Sequence, residues 1–221
     1  REGAIIGTFG LVGRKLTERD PQWTILASGI SMMSDAPASL RSGMRMLMSD
    51  LGTTVSTAKP APPCSSLTVG AFIDGSRQAA TGASYGGHLV NWLQATTTHF
   101  KTLVGHAGLV DLEGQYSSSD GIYHREIMNG GPPWGDSTVW REQSPSTYAD
   151  QFATPILLTI GEKDYRVPVN QTIAAWSYVQ RQQVPGRLLV FHDANHWIMN
   201  GKEAKYFWDE VHAWLARYLL Q

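Results

Sequence analysis

The feature that most constrains this sequence is a Gly-x-Ser-x-Gly motif that joins a short run of small residues to a predicted helix. The run from Gln78 to Ala80 predicts a strand, the motif extends from Gly82 to Gly86, and a helix is expected from about Tyr85 to Thr97. Glycines permit a close approach of strand and helix, and the serine is then held on a strained turn with its hydroxyl above the sheet edge. The motif alone is common in proteins, so its meaning depends on the rest of the chain.

The composition is that of an ordinary globular protein. With 221 residues, of which 42% are hydrophobic, the chain is long enough to bury a core, and we expect residues 1–221 to form a single domain. The net charge of -1, without a basic cluster, argues against nucleic acid or an anionic membrane as a partner. The single cysteine, Cys64, excludes an internal disulfide. No apolar run is long enough to cross a bilayer and no signal peptide is visible, which favours a soluble protein of the cytoplasm.

The N-terminal part of the chain, residues 1–66, carries the weakest pattern. Ile5 to Ile6 and Trp23 to Ala27 are interpreted as strands, and Ser39 to Leu51 is interpreted as a helix. Further along, Asp74 to Ser76 has the composition of a turn that leads into the strand before the motif.

Three further apolar runs predict strands beyond the motif, at Thr102 to Gly105, Ile156 to Ile160 and Arg187 to Phe191. Helical periodicity is present from Asn170 to Gln183 and from about Lys202 to Leu220, where apolar residues recur every few positions. Strands without strict alternation, separated by amphipathic helices, are typical of a mostly parallel sheet that is flanked by helices on both faces. The fold class is therefore predicted to be α/β.

Residues of the types that form a catalytic triad, a serine, acids and histidines, follow three of the predicted strands. In parallel sheets ligands bind at the carboxyl ends of the strands, so the residues just beyond each strand are the candidates. Ser84 follows the strand before the motif, Glu162 and Asp164 follow the third strand, and His192 and His196 follow the fourth. A serine, an acid and a histidine in this chain order are the arrangement of the α/β-hydrolase fold.

These residue types suit nucleophilic acyl transfer. A serine hydroxyl needs a base to take its proton, histidine with its pKa of about 6.5 suits that task, and a carboxylate on the far ring nitrogen fixes the tautomer. Ser84, Asp164 and His196 are the predicted nucleophile, acid and base. Glu162 is an alternative to Asp164, and Asp193 is a further acid near the histidine.

The sequence fits a metal site or a nucleotide-binding site less well than it fits a serine hydrolase. His192 and His196 have the four-residue spacing of metal ligands on a helix, but they lie on a predicted strand end and loop without a matching ligand cluster, so no metal site is expected. Ser84 occupies the second glycine position of a dinucleotide-binding fingerprint, so no nucleotide cofactor is expected. The remaining histidines are predicted to be hydrogen-bonded structural or surface residues: His88, His99, His106, His124 and His212.

Four segments together resemble the catalytic domain of a known family. The segments are Ile73-Asp74-Gly75-Ser76-Arg77, Gly82-Ala83-Ser84-Tyr85-Gly86-Gly87, Gly161-Glu162-Lys163-Asp164-Tyr165-Arg166-Val167-Pro168, and Asn195-His196-Trp197 before an aromatic C-terminal helix. From about Phe72 to Gln221 the chain resembles the prolyl oligopeptidase family of serine peptidases, especially its acylaminoacyl-peptidase and dipeptidyl-peptidase-like branch. The resemblance implies an α/β-hydrolase fold.

The resemblance also implies roles for particular residues. It implies the same catalytic triad, with the backbone N–H of Tyr85 as one oxyanion donor. Tyr123 and Val167 resemble the family's positions that line the pocket for the residue on the acyl side of the cleaved bond. The β-propeller that family members usually carry has no counterpart in this sequence, and residues 1–66 lack the family's loop that supplies a second oxyanion donor.

We therefore expect a serine hydrolase that cleaves a peptide or aminoacyl amide bond, or a carboxylic ester, through an acyl-enzyme on Ser84. A short-chain carboxylesterase is an alternative, because a site without a propeller is open and activated esters demand less of an oxyanion hole than amides do. A non-catalytic α/β-hydrolase-like binding module is an alternative of another class. The expected partner is a small peptide or ester substrate.

Overall fold

One sheet of six strands forms the centre of the described structure. The computed structural model describes residues 7–15, 23–30, 73–135 and 138–220. The strands are β1 (Gly7–Lys15), β2 (Trp23–Ile30), β3 (Ile73–Ser84), β4 (Thr102–His106), β5 (Ile156–Gly161) and β6 (Gly186–Phe191). The helices are α1 (Tyr85–Thr96), α2 (Leu112–Tyr116), α3 (Ile122–Asn129), α4 (Val139–Glu142), a 3-10 helix (Pro145–Gln151), α5 (Val169–Arg181) and α6 (Gly201–Leu219).

The sheet is parallel over four of its six strands. The order across the sheet is β2-β1-β3-β4-β5-β6. Strands β3 to β6 run parallel to one another, whereas β1 is antiparallel to both β2 and β3. Each connection between parallel neighbours contains at least one helix, because the chain has to cross back to the other end of the sheet. The carboxyl ends of β3, β4, β5 and β6 therefore lie at one edge, and the predicted mostly parallel sheet is confirmed.

Helices cover both faces of this sheet, as the sequence predicts. Successive side chains of a strand point to opposite faces, so neighbouring apolar residues divide between two cores. Ala80 and Leu103 pack in the core that α1 and α5 cover. Ala79 and Leu157 pack in the second core, on the face that α6 covers.

Most predicted elements are found close to their expected bounds. Helices α1, α5 and α6 occupy the segments expected to be helical, and β2 contains the strand predicted at Trp23 to Ala27. The turn predicted at Asp74 to Ser76 is wrong, because β3 already begins at Ile73. The register of β3 against β1 shifts between Gly13 and Lys15, so residues of turn composition lie at an irregularity of the strand pair.

Two predictions from the N-terminal part lie outside the described residues, the strand at Ile5 to Ile6 and the helix at Ser39 to Leu51. Within the described ranges, no helix is long and apolar enough to cross a membrane.

Strand β3 passes into α1 without an intervening loop. The strand ends at Ser84 and the helix begins at Tyr85. A Cβ atom on Gly82 would lie 2.2 Å from the backbone carbonyl oxygen of Gly86, in the first turn of the helix. A backbone atom held in a helix cannot move aside, so the close approach requires glycine at position 82.

We predict that Gly82→Ala destabilises the protein strongly. The added methyl group would overlap the backbone of Gly86, and overpacking of this kind costs about 1–3 kcal/mol or more. Gly105→Ala is the matched control, because Gly105 pairs with Gly82 across the sheet but its new methyl group would lie 3.5 Å from side-chain atoms of Leu158 and Val90. In urea unfolding, Gly105→Ala should change the free energy of unfolding by less than about 1 kcal/mol. Equal destabilisation by the two substitutions would contradict the close approach of β3 and α1.

Candidate active site

Ser84 lies at the junction of β3 and α1 in a backbone conformation that residues with a side chain rarely adopt. Its φ is 59° and its ψ is -118°, and the residue is 6% exposed. A positive φ of this kind costs on the order of 1–3 kcal/mol and persists only where the surrounding structure holds it. The backbone N–H of Tyr85 belongs to the first turn of the helix, where N–H groups have no intrahelical acceptor and can bond a ligand.

Asp164 is held in the turn that follows β5. Its Oδ1 atom accepts hydrogen bonds from the backbone N–H groups of Arg166 and Val167, both at 2.9 Å. Its Oδ2 atom lies 2.7 Å from Nδ1 of His196, and the Asp164 side chain is fully buried. The carboxylate therefore has a fixed orientation, with one oxygen on the backbone and the other on His196.

The two competing acids near the histidines bind elsewhere. Glu162 contacts His192, with 2.7 Å between Oε2 and Nδ1, and Asp193 forms an ion pair of 2.8 Å with Lys163. These four side chains are at least half exposed. The structure thus brings Asp164, and neither Glu162 nor Asp193, to His196.

His106 ends β4, the neighbour of the strand that carries Ser84, and its side chain binds the loop that carries His196. Its register partner on β3 is Ala83, the residue before Ser84, and its register partner on β5 is Thr159. The Nε2 atom of His106 lies 3.0 Å from the backbone carbonyl oxygen of His196. His106 thus pairs through its backbone with the residue before Ser84, and its imidazole binds the backbone of His196.

The contacts of His106 define its tautomer. A carbonyl oxygen only accepts, so Nε2 carries a proton and donates it to His196. Burial lowers the pKa of His106, so the ring is neutral and Nδ1 accepts from the Thr159 hydroxyl at 2.9 Å. His106 is one of the histidines that the sequence predicts to be hydrogen-bonded structural or surface residues. Its position directly after the predicted strand Thr102 to Gly105 is the sequence signal that places it at the carboxyl ends of the parallel strands.

Burial also changes the titration of groups near the start of α1. It lowers the pKa of His88 to about 4, and the Nδ1 atom of that ring lies 3.3 Å from the backbone carbonyl oxygen of Leu109. Burial raises the pKa of the Tyr85 phenol, and it lowers the pKa of the Arg125 guanidinium to about 10. At neutral pH His88 and Tyr85 are uncharged while Arg125 keeps its positive charge close to them.

The two residues predicted to line a substrate pocket differ in exposure. Tyr123, on α3, is 77% exposed, whereas Val167 is completely buried in an apolar cluster. Arg166, directly before Val167, forms an ion pair of 2.6 Å with Asp120. A substrate would reach Val167 only after neighbouring side chains move, and the pocket roles of both residues stay predictions.

The fold and the order of the polar strand ends define the class of this protein, which is the α/β-hydrolase fold. Residues 65–221 match the model of the prolyl oligopeptidase family, and the chain belongs to this family. The predicted family resemblance is confirmed.

Curated relatives share about a third of the matched sequence. The chain is 35% identical over 153 residues to dipeptidyl-peptidase 5 of Porphyromonas gingivalis, a match that covers 67% of the chain and 22% of the relative. It is 33% identical over 149 residues to dipeptidyl-peptidase 5 of Schizosaccharomyces pombe, with 66% of the chain and 22% of the relative covered. The chain thus spans about a fifth of the length of the curated relatives it matches.

Solved structures agree on the fold. An acylaminoacyl peptidase of Pyrococcus horikoshii matches with a TM-score of 0.61 and 24% identity, covering 66% of the chain and 25% of that protein. A puromycin-hydrolyzing peptidase of Mycobacterium tuberculosis matches with a TM-score of 0.62 and 21% identity, covering 80% of the chain and 24% of that protein. At these identities the likeness shows the fold alone, and it confirms the predicted α/β-hydrolase fold.

We predict that His88 makes the protein less stable as the pH falls. Its pKa is about 4 when folded and about 6.5 in an unfolded chain, so between these values the unfolded state binds the extra proton. The titration of His88 therefore leaves the free energy of unfolding unchanged above about pH 7. It lowers the free energy of unfolding as the pH drops through 6.5, by about 2–3 kcal/mol at pH 4.5.

The substitution His88→Asn tests this prediction, because the amide still donates to Leu109 but does not titrate. It should remove about 2–3 kcal/mol of the difference in free energy of unfolding between pH 7 and pH 4.5. His212→Asn, at an exposed position of α6, should follow the wild type. An unchanged pH dependence in His88→Asn would show that this histidine is not buried in its neutral form.

Proposed function

We propose that this protein is a serine peptidase that hydrolyses peptide or aminoacyl amide bonds through an acyl-enzyme on Ser84. In this proposal Ser84 is the nucleophile, His196 is the general base and acid, and Asp164 orients His196. The observation that carries the proposal is the hydrogen bond of 2.7 Å between Oδ2 of Asp164 and Nδ1 of His196, at the sheet edge where Ser84 lies.

This hydrogen bond determines what His196 can do chemically. Because Nδ1 donates its proton to Asp164, the neutral ring has its lone pair on Nε2, the atom that can take a proton from a serine hydroxyl. The carboxylate also stabilises the imidazolium that forms when the proton is taken. The His196 side chain is 20% exposed while that of Asp164 is fully buried, so the base has access to substrate and the acid does not.

Acylation begins when Oγ of Ser84 attacks the substrate carbonyl carbon and its proton passes to Nε2 of His196. The carbonyl oxygen becomes an oxyanion, which the backbone N–H of Tyr85 stabilises at the positive end of the α1 dipole. His196 then transfers the proton to the leaving amine nitrogen, and the carbon–nitrogen bond breaks. The acyl group remains as an ester on Ser84.

Deacylation uses the same groups with water in place of the amine. His196 takes a proton from the water molecule as its oxygen adds to the ester carbonyl carbon. The bond between that carbon and Oγ of Ser84 breaks, the proton returns to Oγ, and the carboxylic acid product leaves.

The relatives favour amide substrates over simple esters. The curated relatives are named dipeptidyl-peptidases, and one of the structural neighbours is named an acylaminoacyl peptidase. The chain spans about a fifth of those curated relatives, so we extend to it the hydrolysis of small peptide amides and treat ester hydrolysis as an outcome of the test.

Covalent labelling combined with turnover tests the proposal. A fluorophosphonate reacts with an activated serine, so the wild-type chain should be labelled and Ser84→Ala should not. The wild type should also hydrolyse alanyl-alanyl p-nitroanilide, and Ser84→Ala should lower that rate on the order of 10³-fold or more. Ser177→Ala, at an exposed position of α5, is the control and should behave as the wild type does.

Two outcomes would contradict the peptidase proposal in different ways. A folded wild-type chain that is neither labelled nor active would support a non-catalytic binding module. Labelling with turnover of p-nitrophenyl butyrate but none of the anilide would support a carboxylesterase.

The two acid–histidine pairs beyond β5 provide a matched pair of substitutions. Asp164→Asn keeps an oxygen for the two backbone N–H groups but presents to His196 an NH2 group that cannot accept a hydrogen bond. Its kcat should fall on the order of 10³–10⁴-fold with the fold retained. Glu162→Gln removes only the exposed pair with His192 and should keep kcat within about twofold. Steady-state kinetics and thermal unfolding check both variants, and similar kcat values for the two would refute the role of Asp164.

A further inference from the structure

His106 is a buried imidazole at the active-site edge that takes no step in the proposed mechanism. It is 5% exposed, and its ring lies 5.4 Å from the ring of Phe207 and 6.2 Å from that of Trp197, between centroids. Both ring nitrogens are hydrogen-bonded, Nδ1 to Thr159 and Nε2 to His196. A ring that is held in this way keeps its position, so its contribution is to geometry.

The loop that carries His196 is held by individual hydrogen bonds, and the one from His106 is among them. It runs between the end of β6 at Phe191 and the start of α6 at Gly201, and it contains neither helix nor strand. Asp164 binds the side chain of His196, whereas His106 binds its backbone carbonyl oxygen. The two hydrogen bonds therefore fix different parts of the same residue.

The bond to Asp164 alone does not determine where Nε2 of His196 points. The ring can pivot about a single hydrogen bond at Nδ1, and such a pivot changes the direction in which Nε2 points. When the carbonyl oxygen is also held, the backbone from which the side chain extends stays in place. Acyl transfer depends strongly on this placement, since an error of about 1 Å can cost roughly 10²-fold in rate.

We propose that His106 is a positioning residue, which donates its Nε2–H to the carbonyl oxygen of His196 and so holds the base within reach of Ser84. This inference rests on the proposed function, in which His196 is the base for Ser84. His106 gives up no proton during the reaction. The Thr159 hydroxyl supports it by donating to Nδ1, which keeps the proton of the neutral ring on Nε2.

The strand pairing explains why a residue of β4 can hold His196 in a fixed position relative to Ser84. His106 pairs with Ala83, directly before Ser84, in the parallel ladder between β4 and β3. The backbone hydrogen bonds of that ladder fix His106 relative to the serine, and the side chain of His106 then fixes the loop of His196. In the proposed mechanism the nucleophile and the base are therefore both positioned by the sheet, as precise active sites require.

Three substitutions of His106 separate positioning from stability. His106→Gln places an amide donor near the former Nε2 position and should keep kcat for alanyl-alanyl p-nitroanilide within about threefold. His106→Asn carries a donor that is too short to reach the carbonyl oxygen, and His106→Phe keeps a ring of similar volume without a donor. Both should lower kcat roughly 10- to 100-fold and change KM less than about twofold. Rates are expressed per site that the fluorophosphonate labels at completion, so unfolded molecules do not contribute.

His99→Phe is the control for the loss of a hydrogen-bonded imidazole. The Nε2 atom of His99 lies 2.8 Å from Oε1 of Gln78, and the residue precedes β4 at the opposite end of the strand from His106. This variant should lower the thermal unfolding temperature but leave kcat within about twofold of the wild type.

The outcomes distinguish this inference from the proposed function. A His106→Phe variant with wild-type kcat, a change confined to KM, or a His106→Gln variant as slow as His106→Asn would overturn the positioning role. If His106→Phe does not fold, the comparison of His106→Gln with His106→Asn still decides. An unlabelled, inactive wild type would overturn the proposed function and the inference with it, whereas an active wild type with unaffected variants overturns the inference alone.

Discussion

The direct passage of β3 into α1 is the constraint on which the rest of the structure depends. Gly82 and Gly86 bring strand and helix so close that a Cβ atom would be 2.2 Å from a backbone oxygen, and Ser84 takes a positive φ to complete the turn. The helix cannot relax outward, because its residues from Gly86 to Ala95 are all buried. Burial of one side chain such as Leu93 contributes about 1.5–3 kcal/mol, which is comparable with the whole cost of the strained serine. Packing along α1 therefore maintains the strain at Ser84.

Parallel topology then brings distant parts of the chain to the end of the sheet at which this serine lies. Ser84, His106, Asp164 and His196 come from the ends of four different strands, yet each lies at the same edge because β3 to β6 run in one direction. The side chains of Asp164 and His106 are themselves bound to backbone atoms, two N–H groups for the acid and one carbonyl oxygen for the imidazole. These side chains are thus held by backbone atoms of the turns and loop that follow the strands, and such support from backbone atoms restricts their orientation.

The sequence predicts the parts of this site that depend on chain order, and it does not predict a contact that depends on the path of a loop. Ser84, Asp164 and His196 are candidates because each follows an apolar run that forms a strand in a parallel sheet. The contact of His106 with the carbonyl oxygen of His196 is invisible in the sequence, because it depends on the path of an irregular loop across β4.

Strand β1, which is antiparallel to its neighbours, shows in another way that tertiary pairing is not visible in the sequence. Strand β1, GTFGLVGRK, has three glycines in nine residues, and because glycine has a low strand propensity the sequence predicts no strand there. It is a strand because it pairs with β2 on one side and with β3 on the other, which is tertiary information. The turn composition of Asp74 to Ser76 misleads for a related reason, since the irregular register of this pair accommodates those residues within β3.

Burial, and not the length of the hydrogen bond, separates the two acid–histidine pairs beyond β5. The distances are the same, 2.7 Å for Asp164 with His196 and 2.7 Å for Glu162 with His192. The second pair is mostly exposed, and such pairs are screened by water and held in no single geometry. Asp164 is fully buried, and the two backbone N–H groups on its other oxygen compensate for the water that it has lost. Its orientation therefore comes from the backbone of the turn after β5, so His196 is aimed by a part of the fold as well as by a negative charge.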